Sequence, residues 1–260
     1  MAETLLEERQ GRVAVLTFNR PDKRNALDPE LLFALGDRLQ ALSGEGAIRC
    51  VVLRGAGDEA FSAGFDIGRI PGRGDRAAGH DNPLEYGLRA VHTFPYPVIA
   101  MVRGFALGAG CHLAAACDLR LASTDARFGM PPVKLGVVYP VEGYRLFLQL
   151  LGAANAKELF LTGRQVNASR ALEMGLVHRV LPQEQLEPYT MALAEEIAEE
   201  NAPLAVRASK RILNRLSEGP LTEDDEREFR RLMAEAFASG DLREARSAFA
   251  EKRRPRFSGA

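Results

Sequence analysis

The stretch VIAMVRGFALGAGCHLAAACD, residues 98–118, decides how the rest of the chain reads. It opens with an apolar run, Val98 to Val102, of the length and residue type of a buried strand. Arg103-Gly104 interrupts that run, and Gly108-Ala109-Gly110 leads into small residues that read as a tightly packed helix. A strand, a turn and a helix start with almost no side chains leave backbone N–H groups without partners. Such groups can hold a phosphate, or an oxygen that becomes anionic during a reaction. Glycine and alanine ahead of a helix also serve close packing, so the stretch alone leaves both readings open.

Toward the N-terminus, residues 12–18, RVAVLTF, are strand-like, and Asn19 to Asp22 supply a turn. Asp28-Pro29-Glu30 predicts a helix start, with a capping carboxylate ahead of proline at the first helical position. Leu31, Leu32, Leu35, Leu39 and Leu42 follow at helical spacing, and residues 43–46 stop the helix. CVVL, residues 50–53, reads as a strand covered on both faces. Behind it comes a glycine-rich loop, GAGDEAFSAGFD, residues 55–66. Residues 71–81, rich in Gly, Arg and Asp, read as a surface loop and a candidate lid. Leu84, Leu88 and Val91 predict a helix over residues 83–94, ended by Pro95 and Pro97.

Toward the C-terminus, Leu119 to Ala122 is a further strand. Residues 128–139, FGMPPVKLGVVY, form a loop or short strand region punctuated by Pro131, Pro132 and Gly136. Helices are predicted over residues 146–151 and 153–161, parted by Gly152, and over 168–174, capped by Asn167 and ended by Gly175. Residues 176–181 are a short strand. From Leu186 onward the pattern is helical throughout, over residues 186–200, 204–216, 223–239 and 242–252. The switch from alternating strands and helices to helices alone predicts an α/β body over residues 1–195 and a helical appendage over 196–260.

Composition narrows the function classes. The 34 Lys and Arg against 35 Asp and Glu in 260 residues give no electrostatic case for nucleic acid or an anionic membrane. Cys50, Cys111 and Cys117 sit among apolar or small residues and predict buried thiols rather than a disulfide framework or a metal site. The first dozen residues lack the apolar core of a signal peptide, and Arg103 and His112 interrupt the best membrane-length candidate. The expectation is a cytoplasmic protein with no metal.

Two small-residue loops, each behind a buried strand, could present two backbone N–H groups to one oxygen. That suits a thioester carbonyl whose α-carbon has lost a proton or a carboxylate, and removing one such donor costs about 3 kcal/mol of barrier. Here the chain closely resembles the crotonase superfamily, the enoyl-CoA hydratase/isomerase family. The resemblance is carried by NRPDKRNAL (19–27), AFSAGFDI (60–67), PVIAMVRGFALGAGCHLAAACDLRLA (97–122), LTGRQVNASRALEMGLVHRV (161–180) and AFAEKRRPRF (248–257), in that order. It implies ββα superhelical turns with a C-terminal helical trimerisation region, giving a homotrimer or a dimer of trimers. It also implies an acyl-CoA thioester as substrate, with no covalently bound cofactor and a place in fatty acid metabolism. By the same resemblance the oxyanion donors are the backbone N–H groups of Phe65 and Ala109. Ala63, Phe65, Asp66 and Ile67 then line the coenzyme A site, Arg24 and Ala26 lie at its nucleotide end, and Phe257 corresponds to residues used near the coenzyme of an adjacent subunit.

The chain departs from the family where hydratases carry their two glutamates: His112 and Pro132 stand there instead. Two carboxylates flanking one water serve to take its proton and return one to carbon, and proline has no such chemistry. His112, Tyr139 and Glu142 remain around the expected acyl pocket, with Tyr86 a further neighbour. PPVKLGVVY, residues 131–139, resembles the corresponding loop of methylmalonyl-CoA decarboxylase, whose tyrosine matches Tyr139; that enzyme carries a glutamate where this chain has His112. The expectation is a decarboxylase or other lyase in which Tyr139 orients a departing carboxylate and His112 donates a proton. The alternatives are an atypical enoyl-CoA hydratase and a non-catalytic acyl-CoA-binding or scaffold protein.

Overall fold

The computed structural model describes residues 3–66, 68 and 82–260. Ile67 and the candidate lid over 71–81 lie outside the described residues. The architecture is α/β. Six strands form the larger sheet: β1 (Leu5–Gln10), β2 (Val13–Phe18), β3 (Cys50–Gly55), β5 (Val98–Val102), β7 (Leu119–Ser123) and β10 (Arg179–Leu181), in that spatial order. β1 and β2 are antiparallel and the remaining neighbours parallel. A second sheet holds β4 (Ala60–Ser62), β6 (Phe105–Leu107), β8 (Arg127–Gly129) and β9 (Gln165–Asn167), the first three parallel.

The connections build ββα turns. β3 and β4 lead to α2 (Pro83–Thr93), β5 and β6 to α3 (Ala109–Ala116), and β7 and β8 to α4 (Val141–Thr162). Each turn gives its first strand to the large sheet and its second to the small one. The stretch around Gly108 is therefore strand, turn, strand and helix, not strand, turn and helix. Phe105–Leu107 is too short to show a period of its own and is made a strand by its neighbours β4 and β8.

The large sheet explains the unbroken apolar runs. Val51, Leu53, Val98, Ala100 and Val102 face a core shared with α1 (Pro29–Glu45) and α2. Their alternates Cys50, Val52, Ile99 and Met101 face a second core closed by Leu186, Ala194 and Ala198. Leu186 and Ala194 belong to α6 (Gln183–Glu195), so the first helix of the C-terminal run covers the sheet. With both faces buried, the strands have no polar alternation to show.

Caps fall where the sequence puts them. The Asp28 side chain accepts from Leu31 N at 2.9 Å and Asn167 from Arg170 N at 2.8 Å. Gly152, at φ +71°, breaks α4 into two helical pieces. α5 (Ala168–Glu173) precedes β10, and α7 (Pro203–Glu218), α8 (Glu223–Ala238) and α9 (Gly240–Glu251) complete the chain. Lys210 on α7 is buried and donates to Asp118 Oδ2 at 2.7 Å and to the carbonyls of Tyr96 and Val91. Among the described residues no helix is long and apolar enough to cross a membrane.

Candidate active site

Two loops meet past the C-terminal ends of β4 and β6. Leu27 pairs with the first of them as a parallel bridge: its N–H donates to Gly64 O, and its carbonyl accepts from Asp66 N, each at 2.8 Å. That pairing uses the groups on either side of Phe65, so the N–H of Phe65 itself points to the opposite side. In the second loop Gly108, at φ +52°, precedes α3, whose first intrahelical bond runs from His112 N to Gly108 O. The N–H of Ala109 lies ahead of that bond and has no intrahelical acceptor. Gly64 brings the loops into contact. It has φ +101°, and a Cβ there would stand 2.7 Å from Leu107 O and 3.5 Å from Ala109 N. Two backbone donors flanking this contact can stabilise an oxygen that gains negative charge.

His112 lies one turn into α3. Its Nδ1 is 3.1 Å from the hydroxyl of Tyr139, and both side chains are buried. Burial pulls the imidazole down to a pKa of about 4, weakly opposed by the charge of Glu142, and burial likewise pushes the Tyr139 phenol up. At neutral pH both groups are uncharged. A histidine with a pKa of about 4 is neutral near pH 7, so a proton it gives comes from the neutral ring and not from an imidazolium. Glu142 lies in the first turn of α4 and is exposed, so its carboxylate stays in water and reaches His112 through its charge. Pro132 is the second residue of a short 3-10 helix over Pro131–Leu135. Tyr86 is committed elsewhere: its hydroxyl donates to Asp37 at 2.6 Å between α1 and α2.

The loops expected to meet the coenzyme also come together. Arg24 stacks over the Phe105 ring at 5.9 Å and pairs with Glu59 at 3.2 Å, and its carbonyl accepts from Ala63 N. Arg20, which sequence reasoning passed over, holds the two loops together. Its buried guanidinium donates to Ala26 O at 2.6 Å and pairs with Asp28 at 3.0 Å and Asp66 at 3.2 Å. The hydrogen bond from Arg20 holds the Asp66 carboxyl below its ordinary pKa. The two nearby carboxylates, each tens of residues from the other, are the only sequence signal for that role, and spacing alone does not reveal it.

Phe257 does not join this group within the chain. Its carbonyl accepts from Arg49 Nη1 at 3.2 Å, and Arg49 precedes β3 at the N-terminal end of that strand. Asp241 holds the same tail through Ser258 N and Gly259 N. A separate cleft of about 250 Å³ lies beside Arg54 and Arg103. Those arginines pair with Glu8, Asp58 and Glu187, and among the described residues the buried Arg103 Nε has no hydrogen-bond partner.

A family model described as enoyl-CoA hydratase/isomerase matches residues 8–260. The chain belongs to the enoyl-CoA hydratase/isomerase family. It is 40% identical over 98% of its length to a protein of Rhizobium meliloti named probable enoyl-CoA hydratase, of which the match covers 98%. It is 37% identical over 96% of its length to the methylmalonyl-CoA decarboxylase of Escherichia coli, covering 95% of that enzyme. The crystal structure of an enoyl-CoA hydratase from Bacillus anthracis superposes with a TM-score of 0.88 at 31% identity, covering 99% of this chain and all of that one.

Proposed function

We propose that this protein is an acyl-CoA enzyme that stabilises a thioester enolate between the N–H groups of Phe65 and Ala109, and that its reaction is a decarboxylation. The observation that carries the reading is the buried hydrogen-bonded pair of His112 and Tyr139, with His112 and Pro132 standing at the two positions where a hydratase carries its glutamates. A neutral, dry wall suits a substrate that brings its own carboxylate. The bond between that carboxylate and the α-carbon breaks, carbon dioxide leaves, and the electron pair passes to the α-carbon and the thioester oxygen. Loss of carbon dioxide generates the enolate without any base. Protonation then completes the step. His112 gives the proton on Nε2 to the α-carbon while Nδ1 takes the Tyr139 proton; after the product leaves, Nδ1 returns that proton to Tyr139 and Nε2 takes a new one from water. An enolate is a far stronger base than a buried phenolate, so two neutral groups suffice.

The 40% identity to a protein named as an enoyl-CoA hydratase favours a second reading, hydration of an enoyl-CoA with the same pair handling the protons of water. Absorbance at the enoyl thioester band with crotonyl-CoA, beside carbon dioxide release from malonyl- and methylmalonyl-CoA, separates the two. Fast loss of the enoyl band without carbon dioxide release from either diacid thioester defeats the decarboxylase reading. We also propose a homotrimer or a dimer of trimers built on the helical tail, supported by Phe237 and Phe249, which are 74% and 89% exposed. A sedimentation mass equal to one chain at micromolar concentration would contradict it.

A further inference from the structure

Tyr139 is wedged between His112 and a packed group of aromatic rings. Its ring centroid lies 5.5 Å from that of His112, 5.9 Å from Phe160 and 6.5 Å from Tyr144. Phe147 and Phe160 meet edge to face at 5.3 Å, and the two are 0% and 7% exposed. The backbone of α4 closes the same wall: a Cβ at Gly143 would stand 2.5 Å from the Tyr139 ring and 3.3 Å from His112 Cε1. The Tyr144 hydroxyl accepts from Tyr139 N at 3.2 Å, which fixes the backbone that carries the ring. Interiors packed to this degree do not yield to added atoms without strain.

The wall stands where an acyl chain would lead. Ala109 and His112 share one face of α3, and helical side chains lean toward the N-terminus, so the imidazole overlies the turn that carries the Ala109 N–H. With a thioester oxygen on that N–H, carbons beyond the α-carbon meet His112 and then Tyr139. We infer that Tyr139, backed by Phe147 and Phe160, is the end stop of the acyl pocket and restricts the protein to short-chain acyl thioesters. The inference rests on the acyl-CoA reading above and adds to it the length of the acyl group.

Calorimetry on the full chain with coenzyme A and with acetyl-, butyryl- and decanoyl-CoA tests it, repeated with Phe160→Ala and Phe160→Leu. The wild-type protein binds acetyl- and butyryl-CoA with similar affinity and decanoyl-CoA at least about tenfold more weakly. Phe160→Ala lets the Tyr139 ring swing back and removes most of that gap. Phe160→Leu narrows it less and carries the test if the alanine variant loses its native circular dichroism. Equal binding of decanoyl- and butyryl-CoA by the wild type overturns the end stop while leaving the acyl-CoA reading intact. So does an unchanged ratio in a folded Phe160 variant. Failure of coenzyme A and every thioester to bind defeats the acyl-CoA reading, and the end stop with it.

Discussion

The Tyr139 hydroxyl and the Nδ1 of His112 lie 3.1 Å apart, and both side chains are buried. Among the described residues neither ring has an ion-pair partner, and each is shifted by burial toward its neutral form. The pair thus behaves as one uncharged hydrogen-bonded unit. Removing the hydroxyl with Tyr139→Phe keeps the ring and strands the imidazole nitrogen. The expected cost is about 1–3 kcal/mol of stability, read by urea denaturation. With the proton supply gone, turnover falls by about 10²–10⁴-fold with little change in KM, read by steady-state kinetics on the same preparation.

The imidazole also makes stability depend on pH. Its folded pKa of about 4 lies below the unfolded value near 6.5, so the unfolded chain binds the proton first as pH falls. The contribution of His112 is fully present above about pH 6.5 and is lost as pH drops toward 4. Between pH 7 and pH 5 this amounts to about 2 kcal/mol. Urea midpoints at the two pH values, compared between wild type and His112→Phe, isolate it, and the variant shows the smaller loss on acidification.

Gly64 has no room for a side chain on the Ala109 side, and its φ of +101° disfavours any other residue. Gly64→Ala pushes the Phe65 loop away from α3 and separates the two N–H donors. Turnover drops by about 10²–10³-fold, the scale of one lost oxyanion donor. Far-UV circular dichroism stays native, because the glycine lies in a loop between elements.

Lys210 and Asp118 tie α7 to the sheet at 2.7 Å, and Asp118 Oδ2 also accepts from Val98 N at the start of β5. Lys210→Ala leaves a largely buried carboxylate without its cation and costs about 3–5 kcal/mol. Amide hydrogen exchange shows the loss first in α7, and the thermal midpoint of the whole chain falls with it.

Much of the fold was legible because single residues force it. Asp28-Pro29 marks the start of α1, Asn167 caps α5, and Gly152 breaks α4, each through a local backbone requirement. The small sheet was not legible, since β4, β6, β8 and β9 have three residues each and owe their form to one another. The site divides the same way. The helix start at Gly108-Ala109 could be read from its glycines, whereas the buried bridge of Arg20 to Asp28 and Asp66 joins separate loops and leaves no periodic trace. His112 was readable as an odd residue among alanines, but its burial comes from the rings of Tyr139 and Phe147, which only the tertiary structure brings against it. Phe257 was assigned by its place in a motif, and within the chain its carbonyl is held by Arg49.

The central claim is that the buried pair delivers a proton to an enolate left by departing carbon dioxide. Running the reaction on methylmalonyl-CoA in deuterium oxide and reading the product thioester by NMR tests it most directly. The account predicts carbon dioxide release with a single deuterium placed on one face of the α-carbon, and near-complete loss of that release in Tyr139→Phe. A product labelled equally on both faces, or no carbon dioxide release from a protein that rapidly hydrates crotonyl-CoA, would contradict it.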